Sequence, residues 1–279
     1  MDIIFITVII LVFLSTALSL RRLFIFSLEI SKNKYEIGVS LDIGKRQLQA
    51  DAYSFQQMRD SLMAVLVDGE GEMYSGKAAA LTTARTFTKH YSHYNPTSGS
   101  QIFFDKVFKS ANRNIINVLK GNNGYAMAGC VLIDENKLGY GVAGNIKIGI
   151  YRKGDLTAIN EGQLLNVLTK EKLNDGSIGE GAVKRLIHSK KVYSFLGRDD
   201  YENTEFNESP ITLKKKDIVV LMTDGIYESI NWKDIENILS KTGNVEKKAK
   251  MITSLVKDKG IKEQDNMGVI LIKVLKVHY

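Results

Sequence analysis

The sequence predicts an α+β protein: a four-layer α-β-β-α sandwich of two antiparallel sheets flanked by helices, preceded by one N-terminal transmembrane helix. Three observations carry this reading. Leu62-Met63-Ala64-Val65-Leu66-Val67 is six apolar residues in a row, the pattern of a strand buried on both faces, and Ile218–Met222 and Met267–Ile272 are further apolar runs of the same kind. Residues at helical spacing come as pairs of helices set between strand segments, not as one helix per strand, which excludes a wound βαβ sheet. Ile3 to Leu20 is apolar except for Thr7, Ser15, Thr16 and Ser19, about the length that spans a bilayer core.

Composition bounds the remaining choices. A chain of 279 residues, 44% of them hydrophobic, supports one sizeable domain plus an appendage. A single cysteine, Cys130, leaves no internal disulfide framework and fits a reducing compartment. The net charge of +7 is spread along the chain with no aromatic-interleaved basic stripe, so nucleic acid is not expected as a partner. The excess reads as a solvated basic surface that also favours an anionic membrane face.

Taken in order, the apolar run comes first. The only charge before it is Asp2, no small-x-small cleavage site closes it, and Arg21, Arg22, Lys32 and Lys34 follow it. It therefore reads as a single-span anchor rather than a cleaved signal peptide, with the bulk of the chain in the cytoplasm. This gives a transmembrane anchor over 1–21, a juxtamembrane connector over 22–34 and a globular domain over 35–279. The domain opens on a strand from Tyr35 to Asp42. A helix runs from Gly76 to about His90, where Ala80, Leu81, Ala84, Phe87 and Tyr91 recur at helical spacing. Asn95-Pro96-Thr97-Ser98-Gly99 breaks the chain. A second helix follows with Phe104, Val107, Phe108, Ala111, Ile115 and Val118 on one face and Gly121 as its stop.

From Ala126 to Ile159 short strands alternate with turns at Asp134-Glu135-Asn136-Lys137, Gly144-Asn145 and Arg152-Lys153-Gly154-Asp155, an antiparallel meander. Glu161 to Glu208 is polar and irregular, with one helix around Gly181 to Ile187, and is long enough to serve as a flap over a site. Helices over roughly Trp232 to Leu239 and Val245 to Lys259 precede the final strand, with Ala249, Ile252 and Val256 facing the sheet.

Chemistry enters where buried strands meet carboxylates. The first strand runs into Asp68-Gly69, the second into Thr223-Asp224-Gly225, and the third is reached through Asp265-Asn266. A lone Asp-Gly after an apolar run signals a turn and nothing more. Three carboxylates at the ends of three core strands can meet at one sheet edge, where a hard divalent cation would hold them together. In chain order, Gly44-x-Arg46-x-x-x-x-Asp51-Ala52, Val67-Asp68-Gly69-x-Gly71, Gly144-Asn145, Thr223-Asp224-Gly225 and Asp265-Asn266 resemble the metal-dependent serine/threonine protein phosphatases of the type 2C class. The likeness covers essentially residues 35 to 275.

That resemblance implies a mechanism and a site. Members hold two Mn2+ or Mg2+ ions between two packed sheets, and a hydroxide bridging the ions attacks phosphorus. By the likeness, Asp68 bridges both metals, the Gly69 carbonyl is a ligand of the second, and Asp224 and Asp265 are ligands of the first. Asp51 hydrogen-bonds metal-bound water, and Arg46 grips the substrate phosphate with its planar fork. An oxygen-only donor set suits Mn2+ or Mg2+, and no Cys/His cluster points to zinc. The implied partners are a phosphorylated protein substrate, a cognate serine/threonine kinase whose work is reversed, and the membrane through the N-terminal helix.

Three departures from the family pattern stand out. Glu70 occupies a position where many members carry His or Met, and nearby metals would hold its pKa too low for a general acid. Ala50 replaces the usual Glu or Gln, which thins the contacts to the second metal. Asn145 replaces an Asp, which argues against a third metal. The carboxylates of the two-metal core all remain. That favours an active enzyme over a pseudophosphatase that binds phosphoproteins at the membrane, or a hydrolase of other phosphate esters. Outside these motifs, the His90/His93 pair reads as solvated, Cys130 as a buried packing residue, Lys214-Lys215-Lys216 as a charged turn and Trp232 as a helix-to-sheet contact.

Overall fold

A computed structural model describes residues 34–58, 60–174 and 188–277, together with the isolated positions 15, 177 and 186. In chain order its elements are β1 (Tyr35–Asp42), β2 (Ala52–Met58), β3 (Ser61–Gly71), α1 (Ser75–Tyr91), α2 (Ser100–Leu119), β4 (Gly124–Asp134), β5 (Lys137–Ala143), β6 (Lys147–Arg152), β7 (Asp155–Ala158), α3 (Leu165–Asn174), β8 (Glu205–Phe206), β9 (Ile211–Thr212), β10 (Ile218–Met222), α4 (Asp224–Tyr227), α5 (Trp232–Ser240), α6 (Val245–Asp258) and β11 (Met267–Val274). One sheet has the order β1-β11-β10-β6-β7 and the other β2-β3-β4-β5-β8, with β9 also paired to β5. The ladders that build both sheets are antiparallel.

Strict alternation along the apolar strands builds the layers. In β3, Leu62, Ala64 and Leu66 face the other sheet, while Met63, Val65 and Val67 face α1 and α2. In β10, Val219 and Leu221 join the inter-sheet core, and Ile218, Val220 and Met222 lie against α5 and α6. A strand covered on both faces has no polar face to show, which is why these runs are unbroken. The helical layer over β3 is aromatic, with Phe87 and Phe108 edge to face at 5.0 Å and Tyr91 and Phe104 fully buried. Leu81 and Val118, assigned from periodicity to the buried faces of α1 and α2, are exposed instead.

The two sheets share their ends. At one pole, Lys34 pairs with Asp60 at 2.5 Å, the Tyr35 hydroxyl donates to the Glu135 carbonyl, and the Arg152 guanidinium reaches the Thr212 carbonyl. The opposite pole collects the end of β1, the start of β2, the end of β3 and the residues around α4 and the start of β11. The described parts of the long polar segment after β7 are fastened to the rest of the domain. Leu196 bridges to Ala126, Leu164 to Val192, and the Asn112 side chain on α2 accepts from the Gly197 and Arg198 amides. It contains α3 and β8, which the sequence reading left as irregular. The helix expected around Gly181 to Ile187 falls almost wholly outside the described residues, as does the Ile3 to Leu20 run. Among the described residues no helix is long and apolar enough to cross a membrane.

One partly buried ion pair joins the end of β6 to the lead-in of β10 within the first sheet. Asp217 is buried just before β10 and takes both Nε and Nη2 of Arg152, at 3.0 and 2.6 Å, together with the Lys214 amide at 2.6 Å. Removing the arginine leaves a buried carboxylate short of two charge-assisted bonds. Urea unfolding of Arg152→Ala should show a loss of about 2–3 kcal/mol; an unchanged midpoint would show that water replaces the arginine without penalty.

Candidate metal centre

Five short structural facts build the site. Asp68 sits in β3 at 7% exposure, and Asp51 sits immediately before β2 at 5%. Asp224 opens α4 just after β10, and Asp265 comes two residues before β11. Glu70, on β3, is paired across the ladder with Tyr125. Sheet pairing brings the ends of β10 and β11 together, and stacking of the two sheets sets Asp51 and Asp68 beside them. Arg46, Asp68, Glu70, Lys77, Asp265 and Asn266 line a cleft of about 340 Å³.

The Asp-Gly pairs are not turns. β3 continues past Asp68 to Gly71, and neither Gly69 nor Gly225 is among the residues with positive φ. Close approach explains these glycines instead. A Cβ at Gly69 would lie 2.2 Å from the Gly76 carbonyl oxygen, where α1 crosses β3, and one at Gly225 would lie 1.9 Å from the Asn266 carbonyl oxygen. Each glycine therefore lets a second backbone press against the segment that carries a carboxylate.

Polar side chains whose roles the motifs did not reveal lock the pieces. Thr223 receives the Gly268 amide at 2.8 Å and donates to Asp51 Oδ2 at 3.2 Å, so one hydroxyl ties the two sheets at the site. Asn266 accepts from the Ala50 amide at 2.7 Å and donates to the Ile43 carbonyl at 2.9 Å, which fixes the loop that carries Arg46. Gln264 reaches the Gly225 carbonyl at 2.9 Å. Asn145 donates to Asp224 Oδ2 at 2.9 Å, while Tyr227 holds the Asn145 carbonyl, so this amide orients an acidic side chain. Thr223 and Asn266 were visible as motif letters, but a lone sequence gives no sign of what they bond. Ala50 acts through its backbone alone.

Burial first, and then mutual repulsion, sets the electrostatics. Asp51 is pushed up to about 8, chiefly by burial, with Asp224 and Asp265 adding to it and Thr223 opposing. Asp68 is driven well above the ordinary carboxylate range by burial and by Asp51, Asp224, Glu70 and Asp265. Asp224 and Glu70 are raised as well, each mainly by burial. Asp51 Oδ1 and Asn145 Oδ1 are buried without a hydrogen-bond partner. Clustered acids held up by burial, with an orphaned oxygen among them, are what a divalent cation would relieve.

The donor set therefore fits a hard cation, with every candidate ligand an oxygen. One member is otherwise engaged. Asp265 is held in a bidentate fork by Arg46, Nε to Oδ1 at 2.7 Å and Nη2 to Oδ2 at 2.6 Å. Among the described residues no three His, Cys, Asp or Glu side chains already stand grouped around a cation position. The sequence reading aims Arg46 at a substrate phosphate; the structure places it in the cleft lined by Asp68 and Glu70, with its fork on the Asp265 carboxylate. His90 and His93 lie far from this cluster, near Tyr94 and Phe103, and Cys130 is fully buried.

The fold matches that of solved serine/threonine phosphatases. A serine/threonine phosphatase from S. agalactiae superposes with a TM-score of 0.73 at 20% identity, over 86% of this chain and 99% of that one. Stp1 from Staphylococcus aureus gives 0.72 at 16% identity, over 88% and 96%. The catalytic domain of the phosphatase PstP, solved in complex with two manganese ions, gives 0.67 at 18%, over 87% and 99%. No family model and no curated protein matches the sequence.

The raised carboxyls make stability depend on pH in a fixed direction. The ordinary value for Asp51 is 3.8 and its folded value about 8, so its contribution is intact at low pH and is lost as pH climbs toward the folded value. Melts of the full-length protein in chelator should show Tm falling from about pH 5 to about pH 8. Mn2+ held at one concentration throughout, a hundredfold above its Kd at pH 8, should return about 2.7 kcal/mol at that pH. The recovery in Tm should be larger at the higher pH; equal recovery at both would break the link between cation and cluster.

Proposed function

We propose that this chain is a membrane-anchored, metal-dependent phosphatase that hydrolyses phosphoserine and phosphothreonine in proteins on the cytoplasmic side, with a serine/threonine kinase as its counterpart. The observation that carries the reading is the convergence of Asp51, Asp68, Asp224 and Asp265 at one pole of two stacked sheets, inside a fold shared with phosphatases. Membrane anchoring rests on the Ile3 to Leu20 run and the basic residues that follow it.

Two Mn2+ or Mg2+ ions, held by Asp68, Asp224, Asp265 and the Gly69 carbonyl, would supply activation of the attacking water and neutralisation of the phosphoryl oxygens. The chain's own groups do the rest. Arg46, once off Asp265, presents two parallel donors to two phosphate oxygens, a geometry lysine cannot copy. Asp51, held by Thr223, has a free Oδ1 with which to accept a proton or orient a water. Asn145 keeps Asp224 turned in place. Glu70 lines the cleft and is held up by burial, but a cation beside it would draw its pKa down, so it is given no proton-donor role.

A second reading, the tethered pseudophosphatase, has one observation in its favour: Arg46 and Asp265 satisfy each other. The two readings separate in an assay of the full-length protein in detergent, on a phosphothreonine peptide with Mn2+, Mg2+ or chelator. Turnover should require metal and fall about 100-fold or more in Asp224→Asn. Absence of turnover, together with calorimetry showing no Mn2+ uptake, would select the pseudophosphatase. In Arg46→Ala, kcat/KM should fall about 10- to 100-fold, while Mn2+ binds more tightly because its competitor for Asp265 is gone; weaker Mn2+ binding would mean that the arginine supports the metal site.

A further inference from the structure

The pole opposite the carboxylates carries a lysine surface. Strand register puts the turns after β4 and β6, the lead-in to β10 and the segment after β11 at the same end as Lys34. Those segments present Lys137, Lys153, Lys214, Lys215, Lys216 and Lys276, all exposed. Of the acids there, Asp60 pairs with Lys34 and Asp217 with Arg152, while Asp134 accepts from the Tyr94 hydroxyl and keeps its charge. Asp134, Glu135 and Asp155 face Lys137, Lys153, Lys214, Lys215 and Lys216. The carboxylate cleft is at the other end of β3, and the seven steps from Ser61 to Asp68 span ~23 Å.

A cavity open to solvent lies at the same pole. Between the end of α1 and the start of α2, about 380 Å³ is lined by Lys89, His90, His93 and Lys106 together with the exposed Ile102 and the buried Phe103. Tyr94 lines both this cavity and the neighbouring depression at Asp60, Asp134 and Glu135, so an acidic depression lies between the cavity and the lysine surface. The ammonium groups of Lys89 and Lys106 beside apolar side chains suit a lipid phosphate with the first carbons of its chains. The chain before Lys34 adds Arg21, Arg22 and Lys32, of the same sign, after the apolar run.

We propose that this pole docks onto anionic phospholipid headgroups, so that the cleft faces away from the bilayer. The orientation rests on the anchor reading of residues 1–21; the lysine surface itself does not. A phosphatase domain seated this way presents its cleft to substrates at a fixed height above the membrane, instead of swinging on its connector.

The test uses the full-length chain in nanodiscs of neutral phosphatidylcholine, or of the same lipid with phosphatidylglycerol. Lysines are acylated by a water-soluble ester and read by mass spectrometry. Lys137, Lys153 and Lys215 should react roughly fivefold more slowly in the anionic discs, and the protection should vanish near 1 M salt, where the Debye length is about 3 Å. Lys45, Lys77 and Lys262 beside the cleft should not change. The triple variant Lys214→Glu, Lys215→Glu, Lys216→Glu should lose the protection at Lys137 while keeping wild-type peptide turnover in detergent. Equal acylation in both discs would overturn the proposal. Protection of Lys89 and Lys106 by inorganic phosphate alone, in neutral discs, would reassign the cavity to small anions and also overturn it. Extraction of the chain from membranes by alkaline carbonate would remove the anchor reading alone. Cosedimentation of the extracted full chain with anionic but not neutral vesicles would then uphold the surface, and failure to cosediment with either would reject it.

Discussion

Everything at the functional pole depends on burying several carboxylates where two sheets meet. Left to themselves, Asp51, Asp68 and Asp224 repel one another in a poorly solvated place, and specific donors reach Asp51 and Asp224. Thr223 is the central donor, taking an amide from β11 and giving its hydroxyl to Asp51. Asn145 performs the corresponding task for Asp224, and Arg46 for Asp265. These contacts satisfy part of the oxygen set and leave Asp51 Oδ1 without a partner. The strain is local and is borne by a core in which β3, β10 and β11 are buried on both faces.

Much of this was legible in the sequence because burial on both faces leaves so plain a mark. Leu62 to Val67 could belong only to an inner strand, and the alternation of its side chains between two cores is what an unbroken apolar run encodes. The ordered carboxylates were legible too, since each follows or precedes such a run. The reason for the glycine beside Asp68 and Asp224 was not. It is a close-packing requirement set by Gly76 in one case and by Asn266 in the other, residues distant in sequence or in another element. Periodicity misplaced Leu81 and Val118 because a helix stripe has soft edges, and whether its margin is covered depends on the neighbouring layer.

The segment after β7 shows a different limit. Its polarity hid α3 and β8, and the segment around them is held by long-range contacts: Asn112 with the Gly197 and Arg198 amides, and Glu205 of β8 with the amides of Glu161 and Gly162. No local pattern announces a bond between residues 85 positions apart. The partner of Arg46 was hidden for a related reason, because residue spacing places an arginine in a cleft without saying which of two anions, a carboxylate or a phosphate, it will meet there. The fork that suits one suits the other.

The central claim is that this acidic pole is a site for two divalent cations and that the arginine pair yields to them. Anomalous diffraction from crystals of the protein grown with Mn2+ tests it most directly. The account requires two manganese peaks among Asp68, Asp224 and Asp265, with the Arg46 guanidinium turned away from Asp265. No peak at this cluster, with the fork between Arg46 and Asp265 intact, would contradict it.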